Sequence, residues 1–110
     1  MTIRKLDKSE WNKFFDSMSR PLENREAEIE VAALAVGDQI EADWLPLIGI
    51  TYDPKDDILE VALEGVDHLI EKPREIHVDD TGAELSSVEI VDADGGTQIV
   101  RLREPLMLSA

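Results

Sequence analysis

His68 and His77 are the two histidines of this chain, and histidine is the side chain whose ordinary pKa suits proton transfer near neutral pH. In "EIHVDD", His77 stands two residues before Asp79. On a strand both would point to one face, where the carboxylate could orient the ring of a general base. His77 with Asp79 is therefore the candidate catalytic pair, weighed against a plain surface histidine on an acidic sheet. Neither histidine sits in a recognisable metal or triad context. Ser86 and Ser87 in "ELSSVEI" lack the strand-to-helix elbow that exposes a nucleophile, and no Gly-rich phosphate loop is present. The chain has no cysteine, which removes disulfides, thiolate nucleophiles and thiolate metal sites together. No cofactor is expected.

Hard cations want clustered oxygens, and two acidic stretches offer them. "YDPKDDILEVALE" matches a calcium loop of the EF-hand kind in part. Counted from Asp53, Asp57 takes the fifth place and Glu64 the twelfth, but Lys55 puts a cation at the third and Ile58 replaces the glycine at the sixth. Asp53-Pro54 instead supplies the first two positions of a type I turn between two strand patterns. In "VDADGGTQIV", Asp92 and Asp94 stand beside two glycines, and Asp-Gly between apolar alternations signals a hairpin. Both stretches read as turns, with Asp53, Asp57, Asp92 and Asp94 kept as the candidate cation ligands.

These residues need a scaffold, and the chain changes period once. "LDKSEWNKFFDSMS" opens with a helix-start signature: Asp7 as cap, Glu10 reaching back, and Leu6 stapled onto Trp11. Trp11, Phe14, Phe15 and Met18 then recur at helical spacing until Pro21, which predicts a helix over about 8–19. Such a stripe either joins a core or offers a docking face. After Arg25 the period becomes two: Ile29, Val31 and Ala33, then Ile40, Ala42 and Trp44. Pro46 and Gly49 mark a bulge or strand end before "LIGITYD". Leu59, Val61 and Leu63, then Ile76 and Val78, Val88 and Ile90, and Ile99 and Leu102 continue the alternation, so strands run from about 26 to 103. "VDHLIEKP" reads as a single helical turn. Strand-to-strand spacing of about ten residues leaves no room for crossover helices. The expected fold is mainly β (α+β): an N-terminal helix on a small antiparallel meander, or a partly open barrel, of about six to seven strands.

The 110 residues bound a single domain, 1–110, and 43% hydrophobic content is enough to bury a core despite 33% charged residues. The formal net charge of −14 repels phosphate backbones and anionic membrane surfaces, so nucleic acid is not an expected ligand. The acids are scattered as on a solvated surface. No run approaches the ~20 apolar residues of a membrane span, and the N-terminus lacks an apolar signal region. A cytoplasmic protein without membrane contact is expected. Candidate partner-binding residues are Trp44, beside a proline break, and the apolar end at 105–110 with Leu106, Met107 and Leu108. Trp44 lies either at a rim or in the core. The end either tucks into the domain or covers a neighbour, as in a homodimer.

In "IRKLDKSEW", "AEIEVA", "GDQIEADWLPLIGITYDPKDDILEVALEG", "DHLI", "PREI" and "QIVRLREPLML" the sequence closely resembles the small bacterial family called domain of unknown function 5335, across nearly its whole length. The resemblance implies a bacterial source, and it brings no established activity, substrate or catalytic residue. The hairpin "YDPKDDILEVAL" is also similar to a segment of domain of unknown function family 2283. The leading expectation is a non-enzymatic domain acting through a protein partner or through itself. A small-ligand or divalent-cation-binding protein is the alternative, and an enzyme stands third.

Overall fold

The computed structural model describes residues 2–18, 26–33, 37–80 and 84–107, and among them places eight strands and one short helix. The first strand is β1 (Thr2–Lys5), followed by a 3-10 turn at Lys8–Glu10 and the helix α1 (Trp11–Met18). Then come β2 (Glu26–Ala33), β3 (Gly37–Asp53), β4 (Ile58–Leu63) and β5 (Val66–Glu71). The last three are β6 (Glu75–Asp80), β7 (Glu84–Val91) and β8 (Thr97–Met107). All pair antiparallel in one open sheet, in the order β1-β6-β7-β8-β2-β3-β4-β5. The expected mainly β architecture with an N-terminal helix is therefore present. It consists of two meanders, β2 to β5 and β6 to β8, joined where β8 pairs with β2.

Eight strands exceed the expected six to seven, and two of them, β1 and β5, fall where no strand is expected. β1 is too short to show a period, and its Ile3 is 71% exposed on the sheet edge. The segment expected as a helical turn is β5. There Ile70 is buried while Leu69 is 52% exposed, and the inward row also carries His68. A histidine facing in and a leucine facing out erase the apolar alternation that announces a strand.

β3 is continuous through the expected break, but it bends there. Its first part pairs with β2 and its second with β4, and the register shifts between Leu47 and Gly49. Trp44 adopts φ +49°, and the Pro46 carbonyl accepts the Glu64 N–H at 2.9 Å. This bend lets the sheet curl until β5 lies over β8, two strands far apart in its order: His68 Nε2 sits 2.5 Å from Gln98 Oε1. Ile29, Ile50, Leu59, Val61, Ile76, Val78, Val88 and Ile90 fill the space between the layers, each at most 1% exposed.

The helix packs on β3, and the segment leading into it is tied to β6. Leu6, Trp11 and Phe15 are buried, the Trp11 ring meets Tyr52 edge-on at 5.1 Å, and the Leu6 N–H bonds the Ile76 carbonyl at 2.9 Å. The apolar stripe thus joins the core. Its start differs from the expected capping box, because Asp7 makes no side-chain cap and the Glu10 N–H bonds the Asp7 carbonyl instead. That tight turn brings the Trp11 indole N–H to the Leu6 carbonyl at 3.3 Å, which fixes the ring before the α-helix begins. Pro21 and the Met18 side chain lie outside the described residues.

Candidate functional site

Both acidic stretches are turns held by their own carboxylates. Asp53 Oδ1 accepts the N–H of Lys55 at 2.9 Å and of Asp56 at 3.4 Å, and Asp57 closes the turn at φ +55°. Asp57 Oδ1 accepts the Tyr52 hydroxyl at 2.6 Å and faces Lys8 Nζ at 3.6 Å. Burial, then the bond to Asp57, push the Tyr52 hydroxyl up to about 12. In the second turn Asp92 Oδ1 accepts the N–H groups of Asp94 and Gly96 at 3.0 and 2.9 Å, and Oδ2 accepts Gln98 Nε2 at 3.2 Å. Gly96 packs closely there: an added Cβ would lie 3.0 Å from Asp92 Oδ2 and 3.3 Å from the Ala32 carbonyl, so a larger residue would press on both. Among the described residues, no group of three or more His, Asp or Glu side chains is placed to hold a metal ion, so Asp53, Asp57, Asp92 and Asp94 are not gathered into one.

His77 and Asp79 do share the outward face of β6, but His77 Nε2 contacts Glu75 Oε1 at 3.3 Å. The charge of Lys5, followed by the bond to His77, holds the Glu75 carboxyl below its usual range. Asp79 Oδ1 is buried and, among the described residues, has no hydrogen-bond partner. The other histidine forms the longer polar chain, His68 to Gln98 to Asp92, spanning the two layers. Sequence reasoning passed over it, although Gln98 sits in the inward row with Val100 and Leu102, where a polar side chain stands out.

Trp44 is half-buried, with the Arg103 guanidinium 5.7 Å from its ring centre and Arg103 also 3.2 Å from Glu26. Leu106 and Met107 continue β8, opposite Leu85 and Glu84, so the strand runs past the expected end at 103. Leu108 lies outside the described residues.

The unaccounted surface is the outer face of β3, β4 and β5. Cross-strand register sets it out as three rows: Gly49, Ala62 and Asp67; then Thr51, Glu60 and Leu69; then Asp53, Ile58 and Glu71. Ile48, 62% exposed at the bulge, and Leu69 stand out from it, and Thr51, Asp53, Ile58, Glu60 and Leu69 line a shallow depression of about 270 Å³. Four of these positions are acidic and none is basic. A hydrogen bond to Asp67, with that residue's charge, raises the Glu60 carboxyl above its usual pKa. Elsewhere several acids do have cationic partners: Arg4 pairs with Asp80 at 3.1 Å, and Arg101 bonds Glu28 at 3.3 Å and also Glu30.

The sequence profile of a family described as "Family of unknown function (DUF5335)" matches residues 2–110. The chain belongs to that family. An uncharacterized protein of Aquifex aeolicus (strain VF5) is 38% identical to this DUF5335 chain over 109 residues, covering 98% of each. No solved structure matches the chain. Among the described residues no helix is long and apolar enough to cross a membrane.

Proposed function

We propose that this DUF5335 chain is a non-catalytic interaction domain whose partner is a basic protein, held on the outer face of β3, β4 and β5. The observation that supports this is the exposed apolar pair Ile48 and Leu69 set among Asp53, Glu60, Asp67 and Glu71, with no cation on the face. Among the described residues none of these four acids has an ion-pair partner. Glu60 and Asp67 are like charges held side by side, and an arriving Lys or Arg would convert their repulsion into attraction. Covering the leucine and isoleucine adds apolar burial of roughly 25 cal/mol per Å². A cation in place of the partner has less support, because Asp53, Asp57 and Asp92 already accept hydrogen bonds within the fold.

Co-purification from source cells tests the reading, comparing the wild-type chain with a Glu60→Lys, Leu69→Asp double variant. Both substitutions are at positions away from the core, so the variant should fold. The reading expects a basic protein that the wild type retains and the variant loses. Identical recovery by the two, or no recovery by either, would overturn it.

A further inference from the structure

β5 is the last strand in the sheet order, so among the described residues one side of its backbone has no partner strand. Its hairpin with β4 turns through Glu64 and Gly65, the latter at φ +80°, and flanking pairs of a two-residue turn exchange hydrogen bonds. The pattern alternates from there, so Val66, His68 and Ile70 bond to β4, and the Lys72 N–H keeps step by bonding the Asp57 carbonyl at 2.8 Å. Asp67, Leu69 and Glu71 therefore aim their N–H and C=O groups away from the sheet. Among the described residues no other backbone group meets them. Beside this edge runs a groove of about 430 Å³, with Leu69, Glu71 and Lys72 on one wall and Asp92, Asp94 and Gln98 on the other.

We infer that this edge takes up an extended segment of a basic partner as a ninth strand. The inference rests on the interaction reading above and specifies how the partner binds. An exposed edge with three free donor and acceptor sites is a template for strand addition, in which main-chain hydrogen bonds give affinity and side chains give specificity. The side chains set the specificity here. An added antiparallel residue opposite Asp67 or Glu71 meets a carboxylate on the outer face, and one opposite Leu69 meets an exposed leucine. The segment that fits reads basic-x-apolar-x-basic, with Asp92 and Asp94 adding negative potential across the groove. A second copy fits poorly. Pairing two β5 edges in the register that uses all three sites sets Asp67 opposite Glu71 twice, and like charges directly opposite destabilise a sheet.

The test is a titration of isotope-labelled full chain with a capped lysine-threonine-valine-threonine-lysine peptide, read by amide shifts. The same peptide with glutamate in place of lysine is the control. The inference expects saturable shifts at the amides of Asp67, Leu69 and Glu71 with the basic peptide alone. Leu69→Pro deletes one outward N–H and leaves the β4 ladder intact, so it should abolish the shifts in a folded protein. An Asp67→Lys, Glu71→Lys variant needs no proline in a strand, and should weaken the basic peptide by more than about tenfold while admitting the acidic one. Shifts confined to Thr51, Ile58 and Glu60 would overturn strand addition while leaving a face-docked partner in place. Equal binding of both peptides, or of neither, would also overturn it; failure of the interaction reading itself is read separately, by co-purification.

Discussion

Tyr52 shows how one side chain ties the helix end of the molecule to the first turn. Its ring packs on Trp11 and its hydroxyl donates to Asp57. Tyr52→Phe should cost about 1 kcal/mol at neutral pH, read by urea unfolding, because it removes one hydrogen bond to a carboxylate and little volume. Folding raises the pKa of Tyr52 from 10 to about 12, so the folded state holds the proton more tightly than the unfolded one. The stabilisation is complete below pH 10 and is lost as the pH rises towards 12, where the tyrosinate faces Asp57. The gap between wild type and Tyr52→Phe should therefore shrink above pH 10. A constant gap across that range would show that the hydroxyl is not held as described. The turn around Tyr52 was legible from Asp53-Pro54 alone, because its chemistry is local. The Asp57 contact was not, since only the fold brings Lys8 and the tyrosine hydroxyl to the same carboxylate.

At the scale of elements, what the sequence revealed depended on how cleanly each segment sorted its side chains. α1 and the strands with clear alternation were legible because one face of each is mainly apolar, with Asp80 on β6 and Gln98 on β8 as buried polar exceptions. β5 was not, since His68 faces Gln98 while Leu69 faces out, and that departure from pattern marks the candidate site. Strand order was equally hidden: the pairing of β8 with β2 rests on contacts about seventy residues apart, such as Ala27 with Leu102. Trp11 is buried against Tyr52 of β3, so Trp11→Ala should cost roughly 3–5 kcal/mol by the lost burial and the cavity left behind. Chemical unfolding measures this. A loss under about 1 kcal/mol would mean that the helix does not close the core.

For the whole molecule, the charge of −14 is unevenly matched. Arg4 on β1 and Arg101 and Arg103 on β8 neutralise acids on β6 and β2, whereas among the described residues Asp53, Glu60, Asp67 and Glu71 on the β3–β5 face have no ion-pair partner. Salt should therefore act in opposite directions on two observables. Raising sodium chloride from about 0.05 to 0.5 M should raise the melting temperature by screening self-repulsion, and should weaken partner binding by screening attraction. Stability and binding that both rise with salt would point to an apolar partner surface in place of a charged one.

A photo-crosslinking amino acid in living source cells tests whether the partner meets the molecule at β5. It replaces Leu69 in one strain and Ile3, even more exposed on the opposite edge of the sheet, in another. A covalent adduct with a basic protein is expected from position 69 and none from position 3. An adduct from position 3 alone, or none from position 69, would contradict binding at β5.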